Sequence, residues 1–232
     1  MKSFRTPKAL QRPYYTDEQI DRMCSEALVQ TGLLPQEPGK VRIDRFIEKR
    51  FNDVPIIYEP LASQVLGFSE FGPNGVEAIH IADRGGQRTR VEDRRVNSTL
   101  AHEAGHCLMH AHLFLAEFEH GRLFANDPDV SSQRVLCRDD NDRARSQRRY
   151  DGRWWELQAN RAIGGLLMPK ETFLQFMTPF LEKRGTFGVG VLPDNRRDEV
   201  IRAAADLFDV NPAVARIRTD SFFPMEGGQL TL

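Results

Sequence analysis

Apolar residues recur every three to four positions in several segments of the chain, which is the spacing of a helix with one buried face. Two of these segments begin with clear N-terminal signals. Thr16 precedes two acidic residues, and Thr89 is followed three positions later by Glu92, as in a capping box. The pattern predicts helices from residue 16 to the proline-containing linker 33–39, and at 41–51, 89–113, 154–167, 171–181, 197–208 and 212–218.

A β region lies between the second and third predicted helices. Residues 54–58 are rich in β-branched and aromatic side chains, and residues 67–71 alternate weakly between apolar and polar. After the turn-forming sequence GPNG at 72–75, residues 76–83 alternate again. We therefore expect an α+β fold, in which a small three-stranded sheet packs against helices and the chain closes with a C-terminal helical pair.

The same pattern divides the chain into three parts. Residues 1–40 are predicted to form an N-terminal arm and helix, residues 41–183 a central domain, and residues 184–232 a C-terminal helical region with a tail. Within these parts, residues 185–193 are predicted to be a loop. The charged and irregular stretch 116–152 is predicted to be a surface insertion in the central domain.

Composition excludes two classes of protein and suggests a compartment. Lys and Arg number 32 against 33 Asp and Glu, so the net charge of −1 gives no global positive field for binding nucleic acid. No stretch approaches the roughly 18 apolar residues of a membrane span, and we expect no membrane partner. Cys24, Cys107 and Cys137 are too few and too widely spaced for a disulfide framework, and no signal peptide is visible, which favours the cytoplasm.

The candidate chemistry lies in the third predicted helix, which contains the sequence HEAGH at 102–106. His102 and His106 are one turn apart on the same helical face, so both imidazoles can reach one zinc ion. Glu103 follows the first histidine and can act as a general base on a water molecule at that ion. Gly105 is unfavourable in a helix, but it leaves room for close backbone packing.

A catalytic zinc site needs a third protein ligand and an open position, and two residues could supply the ligand. His112 lies ten positions after His102, but a helix that continues through Met109 separates the two by about 15 Å along its axis. Glu156 lies near the start of a later predicted helix. Asn160, one turn further, could hydrogen-bond a ligand histidine. We favour Glu156 over His112.

Three sequence segments resemble those of a known family. They are TLAHEAGH at 99–106, WWELQAN at 154–160 and LLMP at 166–169. Together they resemble the ImmA/IrrE family of metallopeptidases, in which an HExGH helix is followed by a helix with the pattern E-x-x-A-N that ends in LLMP. The resemblance extends over roughly residues 41–183.

The resemblance implies a gluzincin-like fold with one zinc ion between two helices. It implies that His102, His106 and Glu156 are the metal ligands and that Glu103 is the general base. It also implies site-specific cleavage of a helix-turn-helix transcriptional repressor. The competing hypothesis is a non-catalytic regulatory protein, whose zinc stabilises the fold and whose C-terminal helices bind a repressor or DNA.

Several residues near the motif have less specific signals. His110 is one turn beyond His106 and could line the cleft or stabilise an oxyanion, although a packed or solvated imidazole is the commoner case. Cys107, Trp154 and Trp155 are expected in the core. Cys137, in the insertion, could approach the zinc, but no spacing places it there.

The last two predicted helices resemble a helix-turn-helix. Arg216 and Arg218 lie on the second of them, where they could contact DNA. We favour a helical pair that packs against the core, because the net charge is near zero and the second helix is short. The inward face is predicted to consist of Val200, Ala204, Leu207 and Phe208.

The strand predicted at 76–83 directly precedes the helix that carries HEAGH. If it lies at an edge of the sheet, its free backbone groups could pair with an extended segment of a substrate. Such pairing is our hypothesis for substrate capture, and a central position of the strand would exclude it.

Overall fold

The computed structural model describes residues 14–72, 74–112, 133–138, 154–184 and 188–225. Its helices are α1 (Asp17–Thr31), α2 (Ile43–Arg50), α3 (Arg90–Met109), α4 (Trp154–Leu167), α5 (Lys170–Met177), α6 (Arg197–Leu207) and α7 (Pro212–Phe222). Its strands are β1 (Ile56–Glu59), β2 (Val65–Gly72), β3 (Gly75–Ala82), β4 (Gln133–Arg138), β5 (Glu182–Arg184) and β6 (Val189–Val191). Short 3₁₀ turns follow α5 and precede α6.

The predicted α+β class is confirmed, and β1, β2 and β3 correspond to the three predicted strands. A fourth strand joins their sheet, which has the order β1-β3-β2-β4. β1 is parallel to β3, and β2 is antiparallel to both β3 and β4. Since β4 belongs to the stretch 116–152, part of the predicted irregular insertion is a strand. The remainder of that stretch lies outside the described residues.

The hypothesis that residues 76–83 offer a free edge to a substrate is wrong. β3 is paired on both sides, with β1 in parallel register and with β2 across a tight hairpin. Its backbone groups are therefore used within the sheet. The two edges of this sheet are β1 and β4.

The predicted capping box at Thr89 is present, and the predicted N-cap Thr16 also forms one. The Thr16 side chain accepts a hydrogen bond from the Gln19 backbone, the Thr89 side chain accepts one from Glu92, and both reciprocal contacts are made. α3 ends at Met109, short of the predicted residue 113, and a 3₁₀ turn replaces the last part of the helix predicted at 171–181. β6 lies within the predicted loop at 185–193.

α3 packs directly on the sheet because β2 has a glycine at the contact. A Cβ atom on Gly67 would lie 2.7 Å from the His80 carbonyl oxygen and 2.8 Å from Thr99 Cγ2 on α3. Any other residue there would force the helix away from β2. The buried core continues from this contact through α1, α4 and α6, where Leu28, Leu166 and Val200 are fully buried.

The C-terminal helices pack against the rest of the chain through a buried arginine. Arg218 is 7% exposed, donates two hydrogen bonds to the Met168 carbonyl oxygen and forms an ion pair of 2.7 Å with Asp21 on α1. Arg216 forms an exposed ion pair with Asp198. Of the two arginines that DNA binding would use, Arg218 is therefore inside the protein.

The predicted inward face of α6 is correct at three of its four positions. Val200, Ala204 and Phe208 are buried, whereas Leu207 is 42% exposed. Ile201 and Ala205 are buried as well. The buried face of the helix therefore runs along positions 200, 201, 204, 205 and 208, and Leu207 lies beside it.

A cluster of charges joins the first half of α3 to the end of α6. The Arg94 guanidinium is nearly buried and donates to Asp209 Oδ1 at 3.0 Å and to Asp206 Oδ1 at 2.9 Å. Lys40 donates to Asp209 Oδ2 at 2.8 Å. Burial alone would raise the pKa of Asp209, but the hydrogen bonds from Lys40 and Arg94 outweigh it and lower the pKa to about 2. The carboxylate therefore stays ionised and stabilises this junction.

Among the described residues, no helix combines the length and the apolar character that a membrane crossing requires.

We predict that Asp209→Asn lowers the free energy of unfolding by about 1–3 kcal/mol at neutral pH, because nearly buried Arg94 loses a charged partner. Asparagine tolerates the left-handed backbone at this position, where φ is 54°, so backbone strain does not enter. The folded pKa lies below the unfolded value of about 3.9, so the contribution is present above about pH 4 and is lost towards pH 2. Urea unfolding of both proteins between pH 7 and pH 3 measures it.

Glu48→Gln is the matched control, because it breaks the exposed ion pair with Arg45. Exposed pairs contribute at most about 1 kcal/mol, so we expect Glu48→Gln to lower the free energy of unfolding by less than Asp209→Asn does. Equal losses in the two variants would show that the Asp209 cluster does not stabilise the junction.

Candidate metal centre

The predicted metal ligands meet where α3 crosses α4. The Nε2 atoms of His102 and His106 are 3.0 Å apart. Glu156 Oε2 lies 3.3 Å from His102 Nε2, and Glu156 Oε1 lies 3.7 Å from His106 Nε2. Both histidines are buried and the Glu156 side chain is 14% exposed. The three residues form a buried group that could hold a metal ion.

The two helices come this close because α3 has a glycine at their contact. A Cβ atom on Gly105 would lie 2.8 Å from Ala162 Cβ and 3.3 Å from Ala159 Cα. Both of these neighbours are on α4. The close packing expected for Gly105 is therefore made against the helix that carries the third ligand candidate.

Only one of the two candidates for the third ligand reaches the histidines. α3 stays helical from His106 to Met109, which carries the chain along the helix axis and away from His102. His112 follows in an exposed position. In the part of the chain that the structure describes, the group that could hold a metal includes Glu156 and excludes His112.

Asn160 orients one of the ligand candidates, as its position one turn after Glu156 predicts. His102 Nδ1 donates a hydrogen bond to Asn160 Oδ1 at 3.0 Å. With the proton on Nδ1, the lone pair of His102 lies on Nε2, which faces His106 and Glu156. A ring held in this way needs no rearrangement before it binds a metal.

Glu103 is buried beside this group, and one of its two carboxylate oxygens accepts a hydrogen bond. Ser69 on β2 donates from its hydroxyl to Glu103 Oε2 at 2.6 Å. Glu103 Oε1 is also buried and has no hydrogen-bond partner among the described residues. The sequence analysis did not single out Ser69. The weak alternation at 67–71 is compatible with Ser69 facing α3, but it carries no signal that connects this residue to Glu103.

Burial and mutual contacts shift the pKa values of the site towards the forms that bind a metal. Burial lowers the pKa of His106 to about 4. Burial alone would raise the pKa of Glu156, but hydrogen bonds to His102 and His106 outweigh it and hold the pKa below its usual range. A neutral imidazole and an ionised carboxylate are the ligand forms. Burial raises the pKa of Glu103 to about 7, against the opposing charge of His102 and the Ser69 hydrogen bond.

His110 is packed, as expected, but it is also hydrogen-bonded into the site. Its ring is fully buried, with Nδ1 at 3.1 Å from His106 Nδ1 and Nε2 at 3.0 Å from Gln158 Oε1. Trp154 is buried and meets the His110 ring edge-on at 5.5 Å. The sequence analysis did not single out Gln158. Its spacing of two residues from Glu156 on a helix gave no reason to expect a contact in the same site.

The two cysteine expectations have different outcomes. Cys107 is buried, as predicted for a core residue, and its Sγ lies 3.7 Å from Ser69 Oγ. The backbone of Cys137 pairs with Gly67 in the sheet. The side chain of Cys137 lies outside the described part of the structure, so the structure does not test the disfavoured alternative that it approaches the metal group.

Comparison of the chain with protein-family models and with curated proteins found no match. The family resemblance of the segments at 99–106, 154–160 and 166–169 therefore stays a prediction. What the site can do has to be inferred from the residues that converge in it.

We predict that Gly105→Ala weakens the binding of a divalent metal ion by about tenfold or more, in the range seen when groups supporting a metal site are changed. The added methyl group meets Ala162 and displaces α4, which carries Glu156. Titration against a chelator measures the affinity, and circular dichroism shows that the variant is folded.

Ala162→Gly in the same chain tests the cause of that loss. It removes the Cβ atom that the new methyl group meets, so the double variant should recover most of the metal affinity. If Gly105→Ala binds metal as well as the wild type, the spacing of the two helices does not limit the site.

Proposed function

We propose that the protein is a zinc-dependent endopeptidase in which His102, His106 and Glu156 hold the zinc ion and Glu103 is the general base. We propose further that its substrate is a helix-turn-helix transcriptional repressor. The observation that carries the enzymatic part is the convergence of two imidazole nitrogens and one carboxylate beside a second, separately held carboxylate.

The spacing of the donor atoms fits zinc. Donors around a tetrahedral ion with bonds of about 2.0–2.1 Å lie roughly 3.3–3.4 Å from one another. The two histidine nitrogens are 3.0 Å apart, His102 Nε2 is 3.3 Å from Glu156 Oε2 and His106 Nε2 is 3.7 Å from Glu156 Oε1, all close to this value. Two histidines and one carboxylate also form one of the common ligand sets of catalytic zinc, which leaves a position for water or substrate.

The role of Glu103 follows from its two oxygens. A zinc ion held at this site would polarise the scissile carbonyl group and make a water molecule acidic at neutral pH. Ser69 binds Oε2 and fixes the orientation of the carboxylate, while Oε1 is left without a partner among the described residues. We assign to Oε1 the removal of a proton from the attacking water and its delivery to the leaving amine.

The substrate class is supported by the sequence resemblance alone. The ImmA/IrrE-like segments at 99–106, 154–160 and 166–169 contain every residue assigned above except Ser69. DNA is not favoured as a partner, because the Arg218 side chain is occupied by Met168 and Asp21. The free, buried thiols of Cys24 and Cys107 agree with a reducing cytoplasm as the site of action.

We predict one zinc ion per chain, lost in Glu156→Ala and kept in His112→Ala. Glu156 is within ligand distance of both histidines, whereas His112 is an exposed histidine of the same chain and serves as the matched control. Metal analysis of the purified proteins gives the zinc content. Loss of zinc from His112→Ala together with retention in Glu156→Ala would reverse the assignment.

We predict that Glu103→Gln keeps the zinc ion and the fold but slows hydrolysis by about 10²–10⁴-fold, because glutamine cannot accept the proton. Cleavage of a repressor encoded beside this protein would be followed with time. Asp93→Asn changes an exposed carboxylate of the same helix and should cleave at the wild-type rate.

Near-normal cleavage by Glu103→Gln would mean that another group activates the water. If neither the wild type nor the variant cleaves the repressor but both bind it, the protein is the non-catalytic regulator of the competing hypothesis.

A further inference from the structure

Three histidines follow one another along a single face of α3. His102, His106 and His110 are spaced by four residues, and neighbouring rings are 4.7 and 5.2 Å apart. The first two face Glu156. The third is fully buried, contacts the far side of the His106 ring and has no part in the proposed reaction.

With the Gln158 amide oriented as it is in the structure, hydrogen-bond chemistry sets the direction of the contacts of His110. Gln158 Oε1 can only accept, so the proton of the His110 ring lies on Nε2, 3.0 Å away. In a neutral imidazole one ring nitrogen carries the proton and the other carries a lone pair. His110 Nδ1 then carries a lone pair and accepts from His106 Nδ1 at 3.1 Å. The remaining lone pair of His106 lies on Nε2, on the side of Glu156.

The opposite tautomer of His106, protonated on Nε2, would prevent metal binding. A proton on His106 Nε2 would point at His102 Nε2, which is 3.0 Å away and carries a lone pair because its own Nδ1 donates to Asn160. The two rings would then hydrogen-bond to each other, and neither nitrogen would be free to bind a metal ion. The contact between His106 and His110 selects against this closed arrangement.

We propose that His110 and Gln158 form a relay that holds the proton of His106 on Nδ1 and keeps the lone pair of His106 Nε2 directed at the metal site. Both are positioning residues that act through His106, and the proposal rests on the metal-binding function proposed above. His102 is oriented by a single hydrogen bond to Asn160, whereas His106 is oriented through two successive hydrogen bonds, to His110 and from there to Gln158. One helix, α4, supplies the acceptor at the end of both paths.

The relay makes a prediction for the metal-free protein that needs neither zinc nor substrate. Nitrogen-15 NMR of the imidazoles should show His106 protonated at Nδ1 in the wild type. In His110→Phe the ring beside Trp154 is kept but the acceptor is removed, so the Nε2-protonated form of His106 should become populated. His106 protonated at Nε2 in the metal-free wild type would overturn the relay.

Zinc affinity, measured by competition with a chelator, gives the second readout. We expect His110→Phe and Gln158→Leu each to bind zinc about 10–100-fold more weakly, in the range of other groups that orient a ligand histidine. Gln158→Glu keeps an acceptor oxygen and should stay close to the wild type. The variant with both His110→Phe and Gln158→Leu should be no weaker than His110→Phe, because Gln158 acts only through His110.

The outcomes separate this proposal from its alternatives. If His110 and Gln158 only fill space, the losses in the double variant add and Gln158→Glu is no better than Gln158→Leu. If all variants bind zinc as the wild type does, the relay is wrong while the metal site stands. If the wild type binds no zinc, the proposed function fails, and the NMR measurement on the metal-free protein still decides the relay.

Discussion

The contact between α3 and α4 at Gly105 is the constraint on which the candidate site depends. With no side chain at this position, the backbone of α3 lies against Ala159 and Ala162 and brings the histidines of one helix within reach of Glu156 on the other. A helix interior normally disfavours glycine by about 1 kcal/mol relative to alanine. Here the unfavourable effect of glycine on the helix is offset by the close packing of α3 against α4. Alanine at position 105 would favour the helix but disturb the geometry of the site.

The close approach also explains why so many polar groups are buried together. His106, His110, Glu103 and Gln158 are all within 2% of full burial, and an unpaired polar group in such a place is unfavourable by about 1–3 kcal/mol. Each therefore has a specific partner on another element for at least one of its atoms, and these partners fix its orientation. The rigidity that a metal site needs follows from this requirement.

The parts of the structure that depend on one helix or one turn could be predicted from the sequence, whereas contacts between distant elements could not. The spacing of His102 and His106 and the capping boxes at Thr16 and Thr89 are local features, and all are present. Glu156 could be named because a catalytic zinc site needs a third protein ligand, because helix length disfavours His112, and because the segment 154–160 resembles a known motif. The hydrogen bond from Ser69 to Glu103 joins residues 34 positions apart, and no periodic pattern in the sequence indicates it. Strand order is equally hidden, since alternation marks a strand without naming its neighbours, and the central position of β3 was missed for that reason.

The charge cluster at the start of α3 has a consequence for the order in which a newly made chain can become competent. Arg94 emerges from the ribosome long before its partners Asp206 and Asp209, which lie 112 and 115 residues later. Until Asp206 and Asp209 have been synthesised, the Arg94 guanidinium lacks these two carboxylate partners, and α3 lacks its contact with the end of α6. While the 112 residues that follow Arg94 as far as Asp206 are being made, the helix that carries His102 and His106 therefore lacks this anchor to α6.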